Sequence, residues 1–213
     1  ALFKRYISIQ EKILGPTSIE VAISLNNLGV RYKREKRYEE SRLLYLRALE
    51  IYTTQLGSEH LNVAVVRTNL GGLLVEQGQP QEAEVQYRFA LAIREKTLGP
   101  ESVLVADTLD DLAKTLNTQG RQNDAEALVK RIVKIGEKVR EPESTVMARV
   151  LNDSGVFFDD QQRYQEAEPV YLRTIQIYEK ALGPENEYLV TVLINLAGAV
   201  SYTHLRAHET RED

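Results

Sequence analysis

The sequence predicts an all-α fold, a solenoid of stacked, antiparallel helix pairs. Three observations predict it. A turn motif returns at a fixed 42-residue spacing, apolar residues within each period recur at i, i+3, i+4 and i+7, and small and large residues hold fixed places in the repeat. Fixed-period self-similarity marks stacked units that bury their apolar faces against one another. The i, i+3, i+4 spacing gives each helix one apolar side.

The prolines give the period. Only six occur, and Pro16, Pro100, Pro142 and Pro184 lie at multiples of 42 from one another, with Ser58 at the missing place. The turns Leu14-Gly15-Pro16, Leu56-Gly57-Ser58, Leu98-Gly99-Pro100 and Leu182-Gly183-Pro184 share one register, and Arg140-Glu141-Pro142 is a degenerate copy. In chain order, residues 1–13 read as the second helix of a truncated repeat. There Phe3, Ile7 and Ile9 match Tyr45, Leu49 and Ile51. Four full repeats follow over 14–55, 56–97, 98–139 and 140–181, and 182–200 supply the first helix of a fifth. Residues 201–213 have no place in the register. They resemble translated sequencing-adapter sequence and read as a non-native tail; a native capping helix is the alternative. The absent initiator Met suggests a fragment.

Within each repeat the first helix is predicted over 18–35, 61–77, 103–119, 145–161 and from 187 to about 200. Short polar breaks follow, and second helices begin near Tyr38, Pro80, Gln122 and Tyr164. Gly78 and Gly120 fit a left-handed helix end. Pro80 fits a first helical position, where the missing N–H costs nothing. Pro169, in the second turn of its helix, predicts a bend or a lost hydrogen bond, not a break.

A core template runs through the repeats. Gly29, Gly71, Ala113, Gly155 and Ala197 are small residues of the first helix, and Ser41, Ala83, Ala125 and Ala167 are their counterparts twelve residues on. Small residues at both places let two helices approach closely. Tyr45, Tyr87, Val129 and Tyr171 come next and are expected to fill the space between repeats.

Composition narrows the function. With no cysteine, disulfides, thiolate catalysis and Cys-ligated metals are excluded. A net charge of −4 disfavours a general nucleic-acid binder. The longest apolar run, 189–200, is too short for a membrane span of roughly 20 residues, and Lys4 and Arg5 interrupt any signal peptide. A cytoplasmic setting is expected, with no membrane or nucleic-acid partner.

These residues resemble the tetratricopeptide repeat, TPR. The resemblance rests on Leu28-Gly29 with Tyr32, Leu70-Gly71 with Leu74, and Leu112-Ala113 with Leu116. The 42-residue length, the Leu-Gly-Pro-Glu turn and the blocks Arg37-Tyr38-Glu39-Glu40 and Arg47-Ala48-Leu49-Glu50 look like the kinesin-light-chain type. That resemblance implies a right-handed superhelical solenoid whose first helices line a concave peptide-binding groove.

No catalytic constellation is read, and no metal or cofactor is expected. His60 lies in a turn and reads as a packing or capping residue. His204 and His208 lie in the tail, and Leu205 replaces the Glu that a zinc-protease motif needs. Gly71-Gly72 lacks the Lys-Ser/Thr ending of a phosphate loop. Adjacent carboxylates such as Asp110-Asp111 and Asp159-Asp160 diverge by about 100° on a helix, so each pair is a poor chelate. The tyrosines recur at the core period, so they read as packing residues and not as a base-stacking surface.

The groove positions implied by the resemblance are Asn26, Asn27, Val30, Lys33 and Arg34 in repeat one, and Thr68, Asn69, Gly72 and Val75 in repeat two. Asp110, Asp111 and Lys114 follow in repeat three, and Asn152, Asp153 and Val156 in repeat four. An Asn amide both donates and accepts, so it suits the backbone of an extended peptide. The same residues could instead bond neighbouring helices. Charge grades along the chain: residues 14–55 hold seven basic and five acidic side chains, residues 140–181 five and eight. A peptide with the opposite gradient would be steered into one orientation.

The expected function is a non-catalytic scaffold for protein or peptide partners. A cargo adaptor is the form implied by the kinesin-light-chain resemblance. A regulatory sensor module of a larger signalling protein, and a self-associating array meeting through exposed terminal helix faces, are the alternatives.

Overall fold

The computed structural model describes residues 2–138 and 144–209. Among them every regular element is a helix: α1 (Leu2–Leu14), α2 (Ile19–Arg34), α3 (Tyr38–Leu56), α4 (Leu61–Glu76), α5 (Pro80–Leu98), α6 (Val103–Thr118), α7 (Gln122–Lys138), α8 (Thr145–Asp159), α9 (Tyr164–Leu182) and α10 (Tyr188–Glu209). The second helices open at Tyr38, Pro80, Gln122 and Tyr164, where the turn residues place them. The turn Arg140-Glu141-Pro142 lies outside the described residues, as do 210–213. The chain divides into two compact units, one of residues 1–100 and 114–121, the other of residues 101–113 and 122–213.

In the first unit, α2 pairs with α3 and α4 with α5, while α1 packs on α2 and α3 on α4. The first helices start on side-chain caps. Ser18 Oγ accepts from the Val21 N–H at 3.3 Å, and His60 Nδ1 accepts from the Asn62 N–H at 3.1 Å. Each satisfies an amide that the helix itself leaves unpaired, so His60 is a capping residue. The turn before α4 needs glycine: Gly57 sits at φ 88°, ψ 158°, a region closed to side chains. Between the helices of each pair, Gly78 adopts φ 74°, and Lys36 takes the same left-handed place at φ 58°. The next N–H then reaches back to close the helix, Arg37 to Tyr32 O and Gln79 to Leu74 O, both at 2.9 Å.

The small–aromatic template acts inside the pair. The Tyr45 ring lies on Gly29 and the Tyr87 ring on Gly71, so each tyrosine fills the space between the two helices of one repeat rather than between repeats. A Cβ on Gly29 would fall 2.6 Å from Tyr45 Cε1, and one on Gly71 2.8 Å from Tyr87 Cε1. Ser41 Oγ fixes the same contact by donating to the Gly29 carbonyl at 2.8 Å.

The second unit repeats this construction. α8 pairs with α9, α9 packs on α10, and α7 on α8. Ser144 Oγ caps α8 through the Met147 N–H at 3.2 Å. A Cβ on Gly155 would lie 2.4 Å from Tyr171 Cε1. In the repeat where Ala113 replaces glycine, Val129 replaces tyrosine, so the two positions change together. Gln162 holds the left-handed place at φ 59°. Pro169 does not break α9, which runs through it. α10 continues unbroken past Val200 to Glu209.

Candidate functional site on the first-helix faces

In the first unit the candidate residues lie on α2, α4 and the end of α6. Their buried sides are apolar: Val21, Leu25 and Leu28 on α2 and Val63, Val66 and Leu70 on α4. The remaining side carries the candidates. Asn27 and Arg34 are exposed and Val30 is half-buried. Asn26 and Asn69 meet each other, with the Asn69 Nδ2 donating to Asn26 Oδ1 at 2.9 Å. Lys33 Nζ lies 3.3 Å from Glu76 Oε1, tying α2 to α4 a second time. Gly72 makes room for that lysine, since a Cβ there would come within 3.2 Å of its Nζ. Thr68 turns inward and donates to the Ala64 carbonyl of its own helix at 3.0 Å. Val75 and Lys114 are exposed.

Two residues of this face escape the template reading. Ile23 and Val65 are 46% and 42% exposed, one turn ahead of Asn27 and Asn69. Their signal in the sequence is faint: apolar residues at a position where the later repeats have Asp107, Arg149 and Thr191.

In the second unit the face is built on charge. Arg149 Nη1 lies 3.1 Å from both Asp110 Oδ2 and Asp153 Oδ2, and Nη2 bonds Asp107. Asp110 is therefore a buried, ion-paired group that holds α6 to α8, not an open groove acid. Burial works against the Arg149 charge, yet Asp110 and Asp107 outweigh it and hold the guanidinium above its usual pKa. Asn195 Nδ2 donates to Asn152 Oδ1 at 3.3 Å, the same kind of tie as Asn26–Asn69. Asp111 and Val156 are half-buried. Beside Arg149, a cavity of about 430 Å³ is lined by Val146, Leu182 and the stacked pair Tyr178–Tyr188, whose ring centroids are 5.5 Å apart.

Among the described residues, no group of three or more His, Cys, Asp or Glu is placed to hold a metal. None of the described helices is long and apolar enough to cross a membrane.

Helix pairs of this length, closed by glycine turns and locked by a small–aromatic contact, define a helix-pair repeat protein. The chain belongs to the tetratricopeptide repeat family. One tetratricopeptide repeat model matches residues 1–54, 32–96 and 62–138, and a second matches 147–188. No curated protein matches the sequence. Among solved structures, the chain is similar to the nearly identical TPR-like repeats assigned to a kinesin light chain of Podosopora anserina, with 22% identity over 91% of this chain and 92% of that one and a TM-score of 0.71. It is also similar to BtubC (BKLC) from P. vanneervenii, with 19% identity over 96% of this chain and 85% of that one and a TM-score of 0.73. The fold is thus that of kinesin-light-chain-like TPR repeats.

Proposed function

We propose that the chain is a non-catalytic protein–protein interaction scaffold whose first-helix faces take an extended peptide or a helical segment of a partner. One observation carries this reading. Exposed Ile23 and Val65 stand beside Asn27 and Asn69 on helices whose opposite sides are fully buried. Apolar contact area next to amides that can bond any backbone is the chemistry of peptide recognition. A cargo adaptor of the kinesin-light-chain type is the particular form favoured by the likeness of the repeats.

A peptide-array screen tests it, repeated with Asn27→Ala and with Ile23→Ser. Asn27 is the cleaner amide to remove, because Asn69 also holds Asn26. Binding should fall several-fold in each variant; peptides that bind both as well as the parent would exclude this face.

A second reading, self-association, is supported by α1. Its Ile9, Ile13 and Leu14 are exposed together on one helix, an apolar face of the kind that draws a partner surface. Sedimentation over a range of concentrations tests it, with Ile13→Glu expected to abolish any association.

A further inference from the structure

Two helices of the chain stand half-paired. α2, α4 and α8 each take the helix that follows as a pair partner, α3, α5 and α9. α10 is a first helix of the same kind with no described helix after it, and α1 is a second helix with no described helix before it.

Both helices expose the face that a pair buries. Gly29, Gly71 and Gly155 mark the side on which a first helix takes its own second helix. Ala197 holds that place on α10 and is exposed. One turn earlier Leu193 is 49% exposed, while its counterparts Leu25, Leu109 and Leu151 are at most 1% exposed. Val190 is exposed too, at a place where Ala22, Ala64, Ala106 and Ala148 are fully buried. α1 shows the matching feature. Its Ile9 is 46% exposed, whereas Ile51, Ile93, Ile135 and Ile177 hold the same place in the other second helices and are at most 8% exposed. Tyr6 is exposed where Ala48, Ala90, Ile132 and Thr174 are fully buried.

Charge names the occupant. In two complete repeats a lysine near the end of the second helix bonds a glutamate in the turn before its own first helix, Lys96 to Glu59 and Lys138 to Glu101. Lys12 of α1 stands two repeat lengths before Lys96, and Glu185, ahead of α10, two repeat lengths after Glu101, so both keep the register of that pair. Both are exposed. Residues 1–13 carry +2, from Lys4, Arg5 and Lys12 against Glu11, and residues 182–200 carry −2, from Glu185 and Glu187. A joint of α1 on α10 therefore brings opposite charges together, whereas α1 on α1 or α10 on α10 sets like against like.

We propose that α10 of one copy of this chain takes α1 of a second copy as its second helix, so that two half-pairs complete one repeat across the joint. Val190 and Leu193 of one copy then cover Ile9 and Tyr6 of the other, and Lys12 meets Glu185. This rests on the self-association reading and gives it a direction. The two faces differ, so each joined copy still offers one of them to a further copy, and the assembly grows past a dimer.

Analytical ultracentrifugation of the full chain tests it, with Ile9→Glu closing α1 and Leu193→Glu closing α10. Both positions are exposed, so the fold should survive, which circular dichroism checks. The parent should grow past a dimer as concentration rises, and each variant alone should stay monomeric. An equimolar mixture of the two should form a dimer of one each and stop there, since one supplies an intact α10 and the other an intact α1. The charge pair keeps the test sound if either glutamate disturbs the fold. Lys12→Glu and Glu185→Lys should each weaken the parent's association several-fold at low salt, and the chain carrying both should recover it. A parent that stays monomeric at every concentration would overturn the self-association reading and this one with it. An associating parent whose two blocked variants stay apart when mixed, or still associate singly, would overturn the direction alone. So would a double charge variant that associates no better than the single ones.

Discussion

Replacing Gly29 by Ala probes the contact that sets the repeat. The new Cβ would lie 2.6, 2.8 and 3.2 Å from three carbons of the Tyr45 ring. The ring is fully buried and cannot swing aside. The backbone is held too, by the Ser41 hydrogen bond to the Gly29 carbonyl. Overpacking a rigid core costs ~1–3 kcal/mol, and two approaches under 3.0 Å place this case at the upper end. Alanine recovers ~1 kcal/mol of helix propensity. The net loss is therefore about 2 kcal/mol. Urea unfolding followed by circular dichroism measures it, with hydrogen exchange of the α2 and α3 amides reporting local opening. Gly198→Ala is the control: nothing lies within 4 Å of its Cβ, so only propensity acts and stability should rise. Tyr45→Val added to Gly29→Ala reproduces the Ala113–Val129 combination. The double variant should be more stable than the two single losses predict, by about 3 kcal/mol, the whole steric term, because the propensity gain is the same whether position 45 holds valine or tyrosine. A Gly29→Ala protein as stable as the parent, or a strictly additive double variant, would refute the steric reasoning.

Three further outcomes are expected. Lys36→Gly and Gln162→Gly relieve left-handed residues at φ 58° and 59° and should each stabilise by about 0.5–1 kcal/mol in urea unfolding, as Gly78 and Gly120 already do at the same repeat position. Arg149→Ala removes the guanidinium that pairs the buried Asp110 with α8; the loss should be about 2 kcal/mol, below that of a fully buried pair because the guanidinium is partly exposed, and adding Asp110→Asn should recover part of it. Burial first, and then the neighbouring Asp160, raise the Asp159 pKa. A raised carboxyl pKa means the folded state binds the proton more tightly, so stability is lost as pH climbs from the unfolded value of about 3.8 through the folded one. Asp159→Asn should therefore stabilise at neutral pH, and unfolding curves below pH 3.5 should lose that gain.

The helix plan was legible because local chemistry writes it. Pro80, the turn glycines and the helical spacing of the apolar residues act within a few positions, so each second helix begins where these signals place it. The small-residue template was legible as a need for close approach, but not in its direction. Nothing local tells whether Tyr45 turns toward its own pair or the next repeat; the position of Gly29 across the pair decides that. The face residues were legible only as a list of positions. Asn26 and Asn27 are identical side chains, yet one bonds Asn69 and the other stands exposed. Asp110 looked like an open acid because its partner Arg149 lies 39 residues away.

Three of the ties between neighbouring first helices carry a numerical signature. The repeat is 42 residues long, but Asn26–Asn69, Lys33–Glu76 and Asn152–Asn195 all join residues 43 apart. Like the two scales of a vernier, period and bond are offset by one. In these pairs α2 offers Asn26 and Lys33, and α8 offers Asn152, each to the position one place further along the next repeat. Because the α2–α4 and α8–α10 joints share no residue, one can be loosened or tightened without touching the other. An engineer could tune the spacing of the α2–α4 joint by a single substitution, and leave the α8–α10 joint at its original setting.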